Sequence, residues 1–145
     1  MKVHEASLSF RVVREGQEQP LDTPEKIAHY VSDAFEDDPT VEWFILIPMN
    51  IKNMPFGRVL LTKGTASSCL ANPREVLRPC ILCNASTFVV AHNHPSGDTE
   101  PSRNDIQVTR QLREAGKTMG IPLIDHIIVG DSYSKPYSFS AAGLV

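Results

Sequence analysis

The stretch AHNHPSGDTEPSRND, residues 91–105, decides how the rest of the chain is read. It follows the apolar run STFVV at 86–90 and precedes a segment of helical periodicity, so it joins a buried strand to a helix. Side chains two apart on a strand share a face and lie about 6.6–7 Å apart along the backbone, so His92 and His94 point the same way. Both imidazoles can then converge on one ion. They share that face with Phe88 and Val90, while Asn93 points to the other. An HxH pair alone is a weak sign of metal, because a strand-end histidine is often just a satisfied or exposed residue.

Asp105 strengthens the case. The helical stripe Val108, Leu112, Ala115 and Met119 defines an inward face, and three residues before Val108 that face carries Asp105. A carboxylate directed inward needs a partner, and a divalent cation is a strong one. Ser102 and Asp105 also match the S-x-x-D pattern of a capping box, which would account for both residues by itself. Capping leaves the two adjacent histidines unexplained, as it does Pro95, Gly97 and Pro101, which stiffen the segment between them and Asp105. Two histidines and one aspartate make the three protein ligands of a catalytic zinc site, which keeps its fourth position for water. Zinc so held lowers the pKa of that water and polarises a carbonyl, which points to hydrolysis of an amide or similar acyl bond. A nearby carboxylate must then take the proton. Glu42, at the head of VEWFILIP on the strand face of Phe44 and Leu46, and Glu100, in the loop beside the histidines, compete for that task.

Outward from this stretch the chain alternates strands and helices. SLSFRVV at 7–13 has strand alternation. A helix is expected over 23–36, opened by Asp22 and Glu25 with Pro24 in its first turn, and carrying Ile27, Tyr30, Val31 and Ala34 at helical spacing. VEWFILIPMN reads as a strand buried on both faces whose pairing Pro48 should end, and RVLLTKG as its hairpin partner after a turn at 50–57. NPREVLRPCILCN, 72–84, has Asn72 as N-cap and Pro73 at the first helical position, with Pro79 set to kink or restart the helix. SRNDIQVTRQLREAGKTMG is a second long helix closed by Gly116 or Gly120, IPLIDHIIVG a further buried strand, and SYSKPYSFSAAGLV ends with one short edge strand. This order gives a single α/β domain, a mixed-sheet sandwich over residues 1–145.

Composition sets the remaining bounds. A chain of 145 residues holds one proper core, and 41% hydrophobic against 21% charged residues marks it as globular. The net charge of −3 weighs against nucleic-acid binding, which draws its affinity from neutralising many phosphates. MKVHEASLSF has no apolar leader region and no run reaches the roughly 18 apolar residues of a membrane span, so a cytoplasmic location is expected. Cys69, Cys80 and Cys83 lack a disulfide framework, and the CxxC at 80–83 lacks two further ligands for a structural zinc. Core packing is the simpler role for those thiols. The Asp125-His126 pair reads as ordinary strand polarity, although Asp125 could accept a hydrogen bond from a ligating imidazole.

The spacing H-x-H, seven residues, S, two residues, D at His92, His94, Ser102 and Asp105 resembles the JAMM motif of JAB/MPN-domain zinc isopeptidases. With GTASSCLANPRE upstream and IPLIDHIIVG and YSF downstream, the chain from about 23 to 145 resembles the RadC-like branch of that family. The resemblance implies a three-layer α/β/α sandwich like that of cytidine deaminases, with zinc on His92, His94 and Asp105. It further implies that Ser102 steadies the oxyanion or the attacking water, and that Glu42, in preference to Glu100, is the catalytic glutamate. Family members often carry an N-terminal helix-hairpin-helix module for which this chain has no room, which weakens any DNA-related role. The contiguous HNH letters are not the spread ββα-metal nuclease arrangement, and there is no HExxH. The expected function is a zinc metallopeptidase or isopeptidase acting on a peptide or protein. Its rivals are a non-catalytic JAB-type interaction module and a DNA-repair accessory.

Overall fold

A computed structural model describes residues 1–64 and 72–145. Cys69 and most of the GTASSCLANPRE stretch lie outside the described residues. The elements are α1 (Pro24–Asp37), β1 (Glu42–Met49), β2 (Val59–Gly64), α2 (Pro73–Leu82), β3 (Thr87–Asn93), α3 (Arg103–Met119), β4 (Leu123–Val129) and β5 (Tyr137–Ser138). The strands form one mixed sheet in the order β2-β1-β3-β4-β5. All neighbours are antiparallel except β3 and β4, which run parallel because α3 carries the chain back between them.

Helices cover both faces, which gives the three-layer sandwich. On one face Ile27, Ala28, Val31 and Phe35 of α1 pack on Trp43, Ile45, Ile47, Val89, Ala91, Ile127 and Val129. On the other, Val76, Leu77 and Cys80 of α2 and Val108 and Leu112 of α3 pack on Phe44, Leu46, Phe88 and Val90. β1 and β3, covered on both sides, are the near-continuous apolar runs that such burial requires.

Several local expectations need correction. Residues 7–13 form no strand; Leu8, Phe10, Val12 and Val13 are exposed, and alternation without a paired neighbour does not make a ladder. The N-cap of α1 is Thr23, whose Oγ1 accepts from Lys26 N, while Asp22 pairs with the Lys26 ammonium. Pro48 does not end pairing: β1 runs on opposite β3 to Met49. The backbone N and O of a residue in a strand point to the same side, and Pro48 O accepts from Phe56 N on the side where β2, paired only as far as Leu46, has already ended. The missing N–H therefore faces no strand. Pro79 leaves α2 as one continuous helix. Gly120, in the left-handed region at φ 70°, closes α3, and the helix's buried stripe is Val108, Thr109, Leu112 and Gly116. Met119, assigned inward by spacing, lies half exposed.

The CxxC pair behaves as packing. Cys80 is enclosed, with its thiol directed at Val76 O, and burial pushes it up to about 12. A thiol so poorly ionised is neither nucleophile nor ready ligand. Replacing Leu112, fully buried, by alanine should lower the unfolding free energy by about 2–5 kcal/mol in urea titration. The Met119→Ala change should stay within about 0.5 kcal/mol. Equal losses would contradict the assignment of the α3 faces.

Candidate metal centre

Two strands, a helix and the loop that follows one of the strands deliver four donors to one place. Glu42 opens β1 on the face of Phe44 and Leu46, and His92 stands near the end of β3 opposite Phe44. His94 lies one residue past that strand, and Asp105 sits in the first turn of α3. One ligand atom from each of Glu42, His92, His94 and Asp105 lies within 4.8 Å of all the others. Glu42 and His92 are buried, and His94 and Asp105 half-buried.

The distances sort the four. His92 Nε2 and His94 Nε2 are 3.0 Å apart, Asp105 Oδ1 lies 3.3 Å from His92 Nε2, and Asp105 Oδ2 lies 3.2 Å from His94 Nε2. Glu42 Oε1 stands further off, 3.5 Å from His92 Nε2 and 3.9 Å from His94 Nε2. Donors around a tetrahedral zinc at about 2.0–2.1 Å lie about 3.3–3.4 Å from each other. The His92, His94 and Asp105 contacts come close to those edges, so this donor set fits a small divalent ion.

Each group is anchored by the local sequence. His94 Nδ1 lies 2.7 Å from Asp98 O, a carbonyl that can only accept; Nδ1 therefore carries the proton and a neutral ring presents Nε2 bare to the cluster. The loop that brings Asp98 back turns at Gly97, whose φ of 86° favours glycine and where a Cβ would strike the Asp131 carboxylate. His94 N donates to Val129 O, tying the loop to β4. Asp105 is the far half of a complete capping box: Ser102 N donates to its Oδ2 at 2.8 Å, and its own N donates to Ser102 Oγ. Capping and ligation are thus compatible, because the carboxylate serves both. Ser102 is exposed at the helix start.

Asn93 does more than point away. Its Oδ1 accepts from Trp43 N at 2.7 Å and its Nδ2 donates to Val41 O, so it clamps the peptide groups on either side of Glu42. Two residues that the sequence reading did not assign to the site also reach it. His126 Nε2 lies 2.7 Å from His92 Nδ1, and Thr109 Oγ1 lies 2.6 Å from His126 Nδ1. The helical spacing Asp105–Thr109, i to i+4, is the signal that would have brought Thr109 in. Asp125 takes no part, for its carboxylate accepts from Ser138 Oγ, Ser140 N and His126 N. Glu100 does not join the cluster, its backbone N donating to Asp98 Oδ1.

The electrostatics follow from burial and proximity. Burial pushes the Glu42 carboxyl up, against the lowering pull of His92 and His94. Burial would also raise Asp105, but the adjacent His92 and His94 rings and the Ser102 N–H hold it well below the usual carboxylate range. The Asp105 hydrogen bond raises His94 against the effect of burial. His126, wholly enclosed, is lowered by burial.

The sequence profile of the RadC-like JAB domain matches residues 21–144. The chain is similar to a UPF0758 protein of Geobacter sulfurreducens, 38% identical over 123 residues that cover 85% of this chain and 52% of that protein. It is similar to a UPF0758 protein of Rubrobacter xylanophilus, 47% identical over 63% of this chain and 40% of that protein. A UPF0758 protein of Staphylococcus aureus is 39% identical over 75% of this chain and 50% of its own length. The chain thus spans about half, or less, of the length of the curated relatives it matches.

A metal ligand must be deprotonated, so the raised proton affinity of His94 sets a pH dependence. Below that raised pKa a proton competes with the ion, and above it binding is free of that competition. Zinc affinity, measured by competition with a chromophoric chelator, should rise with pH until it passes above the ordinary histidine range and then level off. His92→Ala should abolish stoichiometric zinc. A pH-independent affinity, or equal metal in wild type and variant, would contradict the site.

Proposed function

The chain belongs to the RadC-like JAB domain family, and from that premise we propose that it is a zinc-dependent hydrolase of amide bonds, a peptidase or isopeptidase acting on a peptide or protein. His92, His94 and Asp105 would hold the ion, with the fourth position left to solvent. The observation that carries the reading is the graded spacing of the donors: three at 3.0–3.3 Å, and the Glu42 carboxylate beside them at 3.5 and 3.9 Å. That is where a proton acceptor belongs if it serves the open position and stays off the ion. Bound zinc would supply a Lewis acid for the carbonyl oxygen and a water acidic enough to react near neutral pH.

The chain's own groups do the rest. Glu42 takes the proton of the attacking water onto its carboxylate as the carbon–oxygen bond forms, then returns it to the leaving nitrogen as the carbon–nitrogen bond breaks. Its raised proton affinity suits both transfers. Asn93 holds the backbone at Glu42 so that the carboxylate stays directed at the cluster. Ser102 Oγ accepts from Asp105 N and keeps its hydroxyl proton to donate to the developing oxyanion.

Among the described residues no helix is long and apolar enough to cross a membrane. Cys80 and Cys83 are free thiols, which fits a reducing compartment, and we place the protein in the cytoplasm. The net charge of −3 favours a protein substrate over a nucleic acid.

Hydrolysis of a library of peptides and isopeptide-linked peptides by zinc-loaded wild type and Glu42→Gln tests the reading. The variant should retain one zinc per chain and lose about 10²–10⁴-fold in rate. Undiminished turnover in the variant would remove Glu42 from the chemistry. Loss of the metal together with the rate would make it a ligand.

A further inference from the structure

We propose that Thr109 and His126 are positioning residues that fix the tautomer of His92, so that its Nε2 presents a lone pair to the ion. The inference rests on the reading of His92 as a metal ligand, and extends it to a line of three hydrogen bonds running from His92 to the backbone of Asp105.

The direction of the line is set at its far end. Thr109 Oγ1 lies 2.7 Å from Asp105 O, and a carbonyl oxygen can only accept, so the hydroxyl proton is committed there. The same oxygen lies 2.6 Å from His126 Nδ1 and can only accept from it, so His126 Nδ1 carries a proton. His126 is wholly enclosed, and an imidazole in that position stays neutral, which leaves Nε2 bare. That bare nitrogen lies 2.7 Å from His92 Nδ1, which must donate to it. In neutral His92 the remaining nitrogen, Nε2, is the one that faces His94 and Asp105. The reverse order of protons would leave Thr109 Oγ1 and Asp105 O at 2.7 Å with no proton between them, and would aim an N–H of His92 into the cluster. One order satisfies every contact.

The rings are held so that the line keeps its geometry. Phe139 stacks on His126 with centroids 4.5 Å apart and planes 6° apart, and Phe44 stacks on His92 at 5.5 Å and 9°. His126 reaches this face because the register of β3 against β4 shifts between Phe88 and Val89: Phe88 pairs with Leu123, but Val89 with Asp125. The extra residue turns His126 toward α3 where uninterrupted alternation would have turned Asp125. Asp105 therefore acts twice, its carboxylate in the cluster and its carbonyl as the last acceptor. The same turn of α3 that supplies one ligand also orients another.

Nitrogen-15 NMR of the histidine side chains, with zinc affinity measured in parallel, tests the proposal on wild type, Thr109→Val and Thr109→Ser. Wild type, with and without zinc, should show His92 protonated at Nδ1. Thr109→Val, which removes the hydroxyl and keeps the shape, should mix the tautomers of metal-free His92 and weaken zinc binding by about 10–100-fold. Thr109→Ser should restore both to within a few-fold. A valine variant with unchanged tautomer and affinity, or a folded serine variant that restores neither, would overturn the positioning role and leave the metal centre standing. If wild type binds no zinc while Thr109→Val still scrambles the His92 tautomer, the relay stands and the metal reading falls. Should the valine variant not fold, wild type alone decides, since His92 protonated at Nε2 overturns the proposal.

Discussion

Two imidazole nitrogens and a carboxylate held 3.0–3.3 Å from one another are the constraint around which this molecule is organised. With the ring tautomers set by Asp98 on one side and His126 on the other, the two Nε2 atoms face each other as lone pairs beside a negative charge. In a partly buried site such an arrangement is costly unless a positive charge occupies it. A proton on His94 is one answer, and the rise in its proton affinity records the demand. A divalent ion answers it more completely, reaching all three donors at once.

The sheet order makes this meeting geometrically direct. β3, at the centre, ends with both histidines at its tip. β1, antiparallel on one side, starts where β3 stops, which brings Glu42 to the same end. The parallel crossover to β4 obliges the chain to return through a helix, and that helix begins beside the strand tip with Asp105 in its first turn. The site thus needs no dedicated lobe. It is formed by the end of a central strand, the start of its neighbour and the start of the crossover helix, all fixed by packing in the two core layers.

Much of this could be read from the residues. His92, His94 and Asp105 were legible because period-two and period-3.6 patterns each place a side chain on a face, and the proline- and glycine-marked loop between them is short. The mixed α/β order was legible from apolar strand runs alternating with helical periodicity, whereas the α/β/α layering came from the family resemblance. Glu42 could not be separated from Glu100 by spacing, because antiparallel pairing of β1 with β3 is a long-range fact. His126 stayed hidden for a sharper reason: a single register shift in β4 exchanged the faces of Asp125 and His126, and alternation gives no notice of a bulge. Residues 7–13 misled in the opposite sense, showing strand alternation where the fold provides no partner.

The central claim is that one divalent ion sits on His92, His94 and Asp105 with one coordination position open to solvent. Zinc-edge X-ray absorption on the metal-loaded protein tests it most directly. The account predicts one zinc per chain with two imidazole nitrogens and a carboxylate oxygen at about 2.0–2.2 Å, and a fourth light-atom ligand that bound inhibitor or added anion exchanges. A shell of two nitrogens and two carboxylate oxygens that no added ligand perturbs, with Glu42 closing the fourth position, would contradict it.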